Sequence, residues 1–171
     1  MRLKALGAVA ALILVSVACA SVVATRVVAR GSATNDSNHR LEFQFSGLHI
    51  NHNDNHRYLG QGSFAWSVNG RVQAMRIRSI SSITVEETAT ARIVTITGIG
   101  QLGRWGFTPS RFNNNLVQGD FSVTFTDNFE GSDTVQFSFS SGPGLNSVQY
   151  NFSGQVQSGS MLNAQQWTLS S

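Results

Sequence analysis

Four side chains that can offer oxygen to a cation fall close together: Asp127, Asn128, Glu130 and Asp133, with Gly131 among them. Calcium takes roughly six to eight oxygens from a flexible loop, and a glycine lets such a loop turn. The spacing is not that of an EF-hand, which alternates its acidic ligands and closes on a distant Glu. The same residues also suit a hairpin loop whose Asp and Asn side chains cap their own backbone. Calcium is the one ion this loop suggests, and no other cofactor is expected.

His49, His52 and His56 form a second cluster, with Asp54 between the last two. On a helix the three imidazoles share one face. On one continuous strand His52 and His56 share a face and His49 takes the other. Asn51, Asn53, Asp54 and Asn55 resist helix and favour turns, so a solvated polar loop is expected here. Zinc or copper would accept such ligands.

A third group is aromatic. Trp105, Arg111 and Phe112 lie in a Gly- and Asn-rich stretch and form a candidate ligand surface. Tyr58, Trp66 and Trp167 are further candidates, because planar rings cover the apolar faces of sugars. Trp66 alternates with Phe64 and Val68, which predicts core for it. Catalytic signatures are sparse: there is no G-x-S-x-G, and Cys19 is the single cysteine. A hydrolase would have to pair carboxylates drawn from Glu42, Asp54, Glu86, Glu87, Asp120, Asp127, Glu130 and Asp133.

The elements that must position these groups are strands. Around the acidic loop, Phe121, Val123 and Phe125 alternate with Ser122 and Thr124, and Val135, Phe137 and Phe139 alternate with Gln136 and Ser138. A period of two puts all six apolar side chains on one face of a hairpin. Further strands are predicted over residues 41–45, 58–68, 71–78, 80–86, 90–97, 147–152 and 165–169. Asn69-Gly70 is a strong two-residue hairpin signal. About nine to eleven short strands with frequent turns predict an all-β antiparallel sandwich or barrel.

Charged residues make up only 12% of the 171, and Ser, Thr, Asn and Gln carry solubility in their place. Arg2 and Lys4 precede a small-and-apolar run ending Ala18-Cys19-Ala20, the pattern of a secretory signal over residues 1–20, with a cut as late as Ala24 also fitting. Removing Arg2 and Lys4 from twelve basic residues leaves ten against nine acids, so the formal +3 is no argument for nucleic-acid binding. Ser16 is a poor match three positions before a lipidated Cys19, so lipoprotein anchoring is not expected, and no membrane span remains after cleavage. Residues 21–39 read as a flexible lead-in and 40–171 as a single β-domain.

Within residues 80–139 four features occur in order: Ile80-Ser81-Ser82-Ile83-Thr84-Val85, Ala91-Arg92-Ile93 running on to Gly98-Ile99-Gly100, Gly119-Asp120-Phe121-Ser122-Val123-Thr124-Phe125-Thr126-Asp127-Asn128, and Gly131-Ser132-Asp133-Thr134-Val135-Gln136-Phe137. In these the chain resembles the post-COAP-1-like domain, a small bacterial exported β-domain. It departs from that pattern in a long Asn-rich insertion over 104–118 and in Phe129 where a Gly follows the asparagine in such domains. The resemblance implies an exported all-β accessory domain without established catalysis, and it brings no catalytic residues with it. The expected function is therefore an extracellular or cell-envelope module with a structural or binding role. A calcium- or polysaccharide-binding module using residues 127–133 and 105–115 is the alternative, and an extracellular hydrolase the third.

Overall fold

The structure, a computed structural model, describes residues 21–68, 71–104, 117–142 and 147–170. Its elements are all strands: β1 (Ser21–Thr34), β2 (Arg40–His52), β3 (Asn55–Val68), β4 (Arg71–Glu87), β5 (Ala91–Arg104), β6 (Val117–Asn128), β7 (Thr134–Ser140), β8 (Gln149–Val156) and β9 (Met161–Ser170). Each of β1 to β7 pairs antiparallel with the next, and β1 takes both β8 and β9 on its other side, which closes the sheet into a ring. The all-β antiparallel fold expected from the alternation is the observed one, although most strands are long.

Closure depends on β8 and β9 acting as one bent strand. Gln155 and Val156 lie opposite Thr34 and Ala33, and after a short jog Met161 to Ser170 lie opposite Arg30 to Ser21. The pairings lead from Ala33 through Leu41, Trp66 and Gln73 to Arg104, and the other way from Thr34 through Gln155, Thr134 and Thr126 to Ile93. Both routes reach β5, but near opposite ends, so the strands are strongly staggered around the ring.

The six apolar residues of the β6–β7 hairpin are all buried, as are Phe43, Phe45, Phe64 and Trp66. Rings from opposite walls meet: Phe43 and Phe125 at 5.1 Å between centroids, Phe64 and Phe137 at 4.7 Å, and Trp66 stacked on Tyr150 at 4.6 Å. Glu42, Gln44, Ser46 and Gln136 point outward and are exposed. An apolar inside and a polar outside suit a barrel standing in water and reverse the arrangement of a lipid-embedded one. Among the described residues no helix is long and apolar enough to cross a membrane.

Three expectations are corrected. Residues 21–39 are not a flexible lead-in, because 21–34 form β1, paired along both edges. This strand is hard to recognise because its inward residues are small. Ala29 lies opposite Phe45 and Ala33 opposite Leu41, and at Gly31 between them the side-chain space is taken by Ser160. Residues 71–78 and 80–86 are one strand, not two. β4 carries register shifts between Ile77 and Ser79 and between Ile80 and Ser82. Each bulge lengthens the apolar spacing from two to three, which keeps Met75, Ile77, Ile80, Ile83 and Val85 turned to the core. Gly98 lies opposite Ile80 at this bend, where a Cβ would collide with the Ser79 carbonyl. Finally, residues 49–57 are not a loop but the tip of the β2–β3 hairpin. Asn53 and Asp54 take φ of 50° and 60°, as both central residues of a type I′ turn require. Asn69-Gly70 lies outside the described residues; Val68 pairs with Arg71 on either side of it.

Candidate functional site

The acidic loop joins β6 to β7, and its polar groups are largely engaged with one another. Asp133 Oδ1 accepts the Asn128 backbone N–H at 3.0 Å, and the Asn128 side-chain amide donates to the Ser132 carbonyl at 2.7 Å. The Phe129 N–H donates to the Thr90 carbonyl at 3.0 Å, tying this loop to the β4–β5 turn, and the Asp133 carbonyl accepts the Val156 N–H at 2.8 Å. Glu130 points to solvent. Asn128 and Asp133 thus serve as backbone caps that close the hairpin. Among the described residues no three His, Cys, Asp or Glu side chains converge as a metal-binding group.

Trp105, Arg111 and Phe112 lie outside the described residues. The other aromatic candidates divide. Trp66 is buried in the core, as its alternation predicts, and its indole N–H has no hydrogen-bond partner. Tyr58 is half-buried against His49, with ring centroids 4.7 Å apart. Trp167, on β9, is 39% exposed and lines an open groove of about 500 Å³.

That groove crosses the outer face of β9, β1, β2 and β3. Gln165, Arg26, Leu48 and Leu59 form one row across the four strands, and Trp167 flanks it two residues further along β9. Gln61 and Ser46 continue the lining. Leu59 is 59% exposed, more so than the exposed Val72 on β4 and Met161 and Trp167 on β9. Apolar faces are therefore presented beside a guanidinium and amide and hydroxyl groups, on strands rather than on loops. Arg26, Leu48, Leu59 and Gln61 carry no sequence signal of their own; the register alone brings them to Trp167.

A second groove, of about 470 Å³, crosses the outer face of β5 to β8. Thr97, Ser122, Ser138 and Asn151 make one row and Ile99, Asp120, Ser140 and Gln149 the next. Thr95 and Thr124 hydroxyls lie 3.1 Å apart beside it. Among the described residues that line the two grooves, Asp120 is the single carboxylate. Elsewhere Glu42 pairs with Arg40 at 3.2 Å and Glu87 with Arg92 at 3.5 Å. The paired carboxylates that glycoside hydrolysis uses do not meet in either groove.

The histidine cluster is rearranged by its turn. His49 lies opposite Tyr58 and Asn51 opposite His56, so His49 and His56 share one face and His52 takes the other. The continuous-strand pattern is corrected here, because the hairpin reverses the chain between His52 and His56. His49 Nε2 and His56 Nδ1 are 2.9 Å apart. Burial first and the charge of His56 second hold the His49 imidazole below its ordinary value. No protein-family model matches this chain, and comparison with curated proteins and with solved structures finds no match.

Proposed function

We propose that this chain is an exported, non-catalytic β-barrel module that binds polysaccharide outside the cell or at its envelope, through the groove between Trp167 and Leu59. The observation that carries this reading is the exposed indole of Trp167 in a groove shared with Arg26, Leu59 and Gln61. An indole face covers the apolar face of a pyranose, and flanking amide and guanidinium groups can hydrogen-bond its hydroxyls. Arg26 favours sugars that carry carboxylate or sulfate. A sheet surface holds these groups without ordering a loop on binding, which lowers the entropic cost. The signal-like residues 1–20 support export, and the resemblance of residues 80–139 to post-COAP-1-like domains supports an accessory role.

Affinity electrophoresis through gels containing neutral and acidic polysaccharides tests this. Retardation by an acidic glycan, lost in Trp167→Ala and Arg26→Ala at unchanged thermal midpoint, is expected. Unretarded migration on every glycan, or retardation indifferent to Trp167→Ala, would overturn it.

A further inference from the structure

Two imidazoles stand nitrogen to nitrogen at the end of the β2–β3 hairpin, within reach of one another as a pair of metal ligands would be. His49 Nε2 and His56 Nδ1 are 2.9 Å apart, and the two rings are inclined by only 22° with centroids at 5.1 Å. That centroid separation is close to the nitrogen separation extended by one ring radius at either end. The rings therefore meet edge to edge with the two facing nitrogens aimed at one another, and a single proton can sit between them when both are neutral.

The support around the pair is fixed. His49 stacks on Tyr58, its direct cross-strand partner, at 4.7 Å and 22°. The two-residue turn at Asn53 and Asp54 sets the register that brings His56 back beside His49. A third donor belongs to the same face. Asn51 lies opposite His56 and two residues from His49 on β2, and its side-chain oxygen is buried with no hydrogen-bond partner. A buried amide oxygen left unpaired costs free energy that a cation or a donor would recover.

We propose that His49 and His56, with the Asn51 carbonyl oxygen as a third donor, form a binding site for a late first-row divalent cation, copper(II) or zinc. At metal–nitrogen distances of about 2.0–2.1 Å, two imidazoles on one ion sit about 2.9 Å apart when cis on a square plane and about 3.4 Å apart on a tetrahedron. The observed 2.9 Å separation is of that size, and an ion on the His49 nitrogen is reached when the exposed His56 ring turns its nitrogen off the line between the two. The ring that carries the shared proton moves it to its other nitrogen, so both rings bind in their neutral form and no proton is released. Copper(II) binds the more tightly of the two, by the general order of divalent affinities. This site is independent of the Trp167 groove, which lies on the opposite face of β2 and β3.

Calorimetric titration of the purified protein with copper(II) and with zinc tests the site, together with the electron paramagnetic resonance spectrum of the copper(II) form. One ion per chain is expected, with a spectrum showing two imidazole nitrogens. His49→Ala and His56→Ala should each weaken binding by at least the roughly tenfold that even outer-shell partners cost. His52→Ala, on the other face of the hairpin, should leave it unchanged. Circular dichroism and thermal midpoints of the three variants separate loss of ligand from loss of fold. Absence of binding at micromolar metal in a folded protein would overturn the proposal, and so would binding that survives His49→Ala with His56→Ala or follows His52.

Discussion

Ser160 sits directly over Gly31. Its hydroxyl accepts the Ser32 N–H at 3.2 Å and lies near the Ser32 carbonyl at 3.4 Å, and a Cβ on Gly31 would occupy the space of the Ser160 side chain. The two residues mark the point where β8 gives way to β9 along β1, and so where the ring closes.

Gly31→Ala should therefore weaken closure by about 1–3 kcal/mol, as overpacking a tight site does. In thermal melts that is a fall of several degrees. Shortening the opposing side chain with Ser160→Gly in the same protein should restore part of the loss, a coupling that a double-mutant cycle measures. Equal losses from Gly31→Ala with and without Ser160→Gly would show that the two do not press on each other.

Phe137 carries more of the core than any outward residue can. It contacts Phe64 at 4.7 Å, Trp66 at 5.5 Å and Tyr150 at 6.1 Å, joining β3, β7 and β8 across the interior. Phe137→Ala should cost about 3–5 kcal/mol in denaturant unfolding. Gln136→Ala, one residue away on the exposed face, should stay within about 0.5 kcal/mol.

At the β6–β7 loop, chemistry separates a capping role from a calcium role. Asp133→Asn keeps an oxygen for the Asn128 N–H and should lower stability by less than about 1 kcal/mol, whereas Asp133→Ala removes it and should cost about 1–2 kcal/mol. Melts in millimolar calcium and in chelator should agree if capping is its whole task. A calcium-dependent rise abolished by Asp133→Asn would instead make this loop a metal site.

The pH dependence has a definite sign at each end. His49 is held below its ordinary value by burial and then by His56, so the unfolded chain takes up the proton first as pH falls. The contribution of His49 is present above about pH 6.5, the ordinary imidazole value, and is lost as pH falls through the lower folded one. Burial raises Tyr150, so its contribution is present below the ordinary tyrosine value of about 10 and is lost as pH rises through the folded one. Thermal midpoints followed from acid to alkaline pH, with His49→Ala flattening only the acid limb, check both.

Alternation made the interior legible in the amino-acid sequence. The faces of β6 and β7, the burial of Phe64 and Trp66 and the all-β class follow from side chains that change sides at every residue. That signal is local, and it fails where the inward residue is small, as at Ala29 and Ala33, or where a bulge shifts the count, as at Arg78 and Ser81. What lies beside what on a sheet is not local. Trp167 reaches the groove of Arg26 and Leu59 only through β1 and β2, and His49 meets His56 only because Asn53 and Asp54 reverse the chain. The sequence by itself determined which side chains face inward, because a strand's period is a property of the backbone. Tertiary structure decided which surface groups stand together, because register is set by closure of the whole ring.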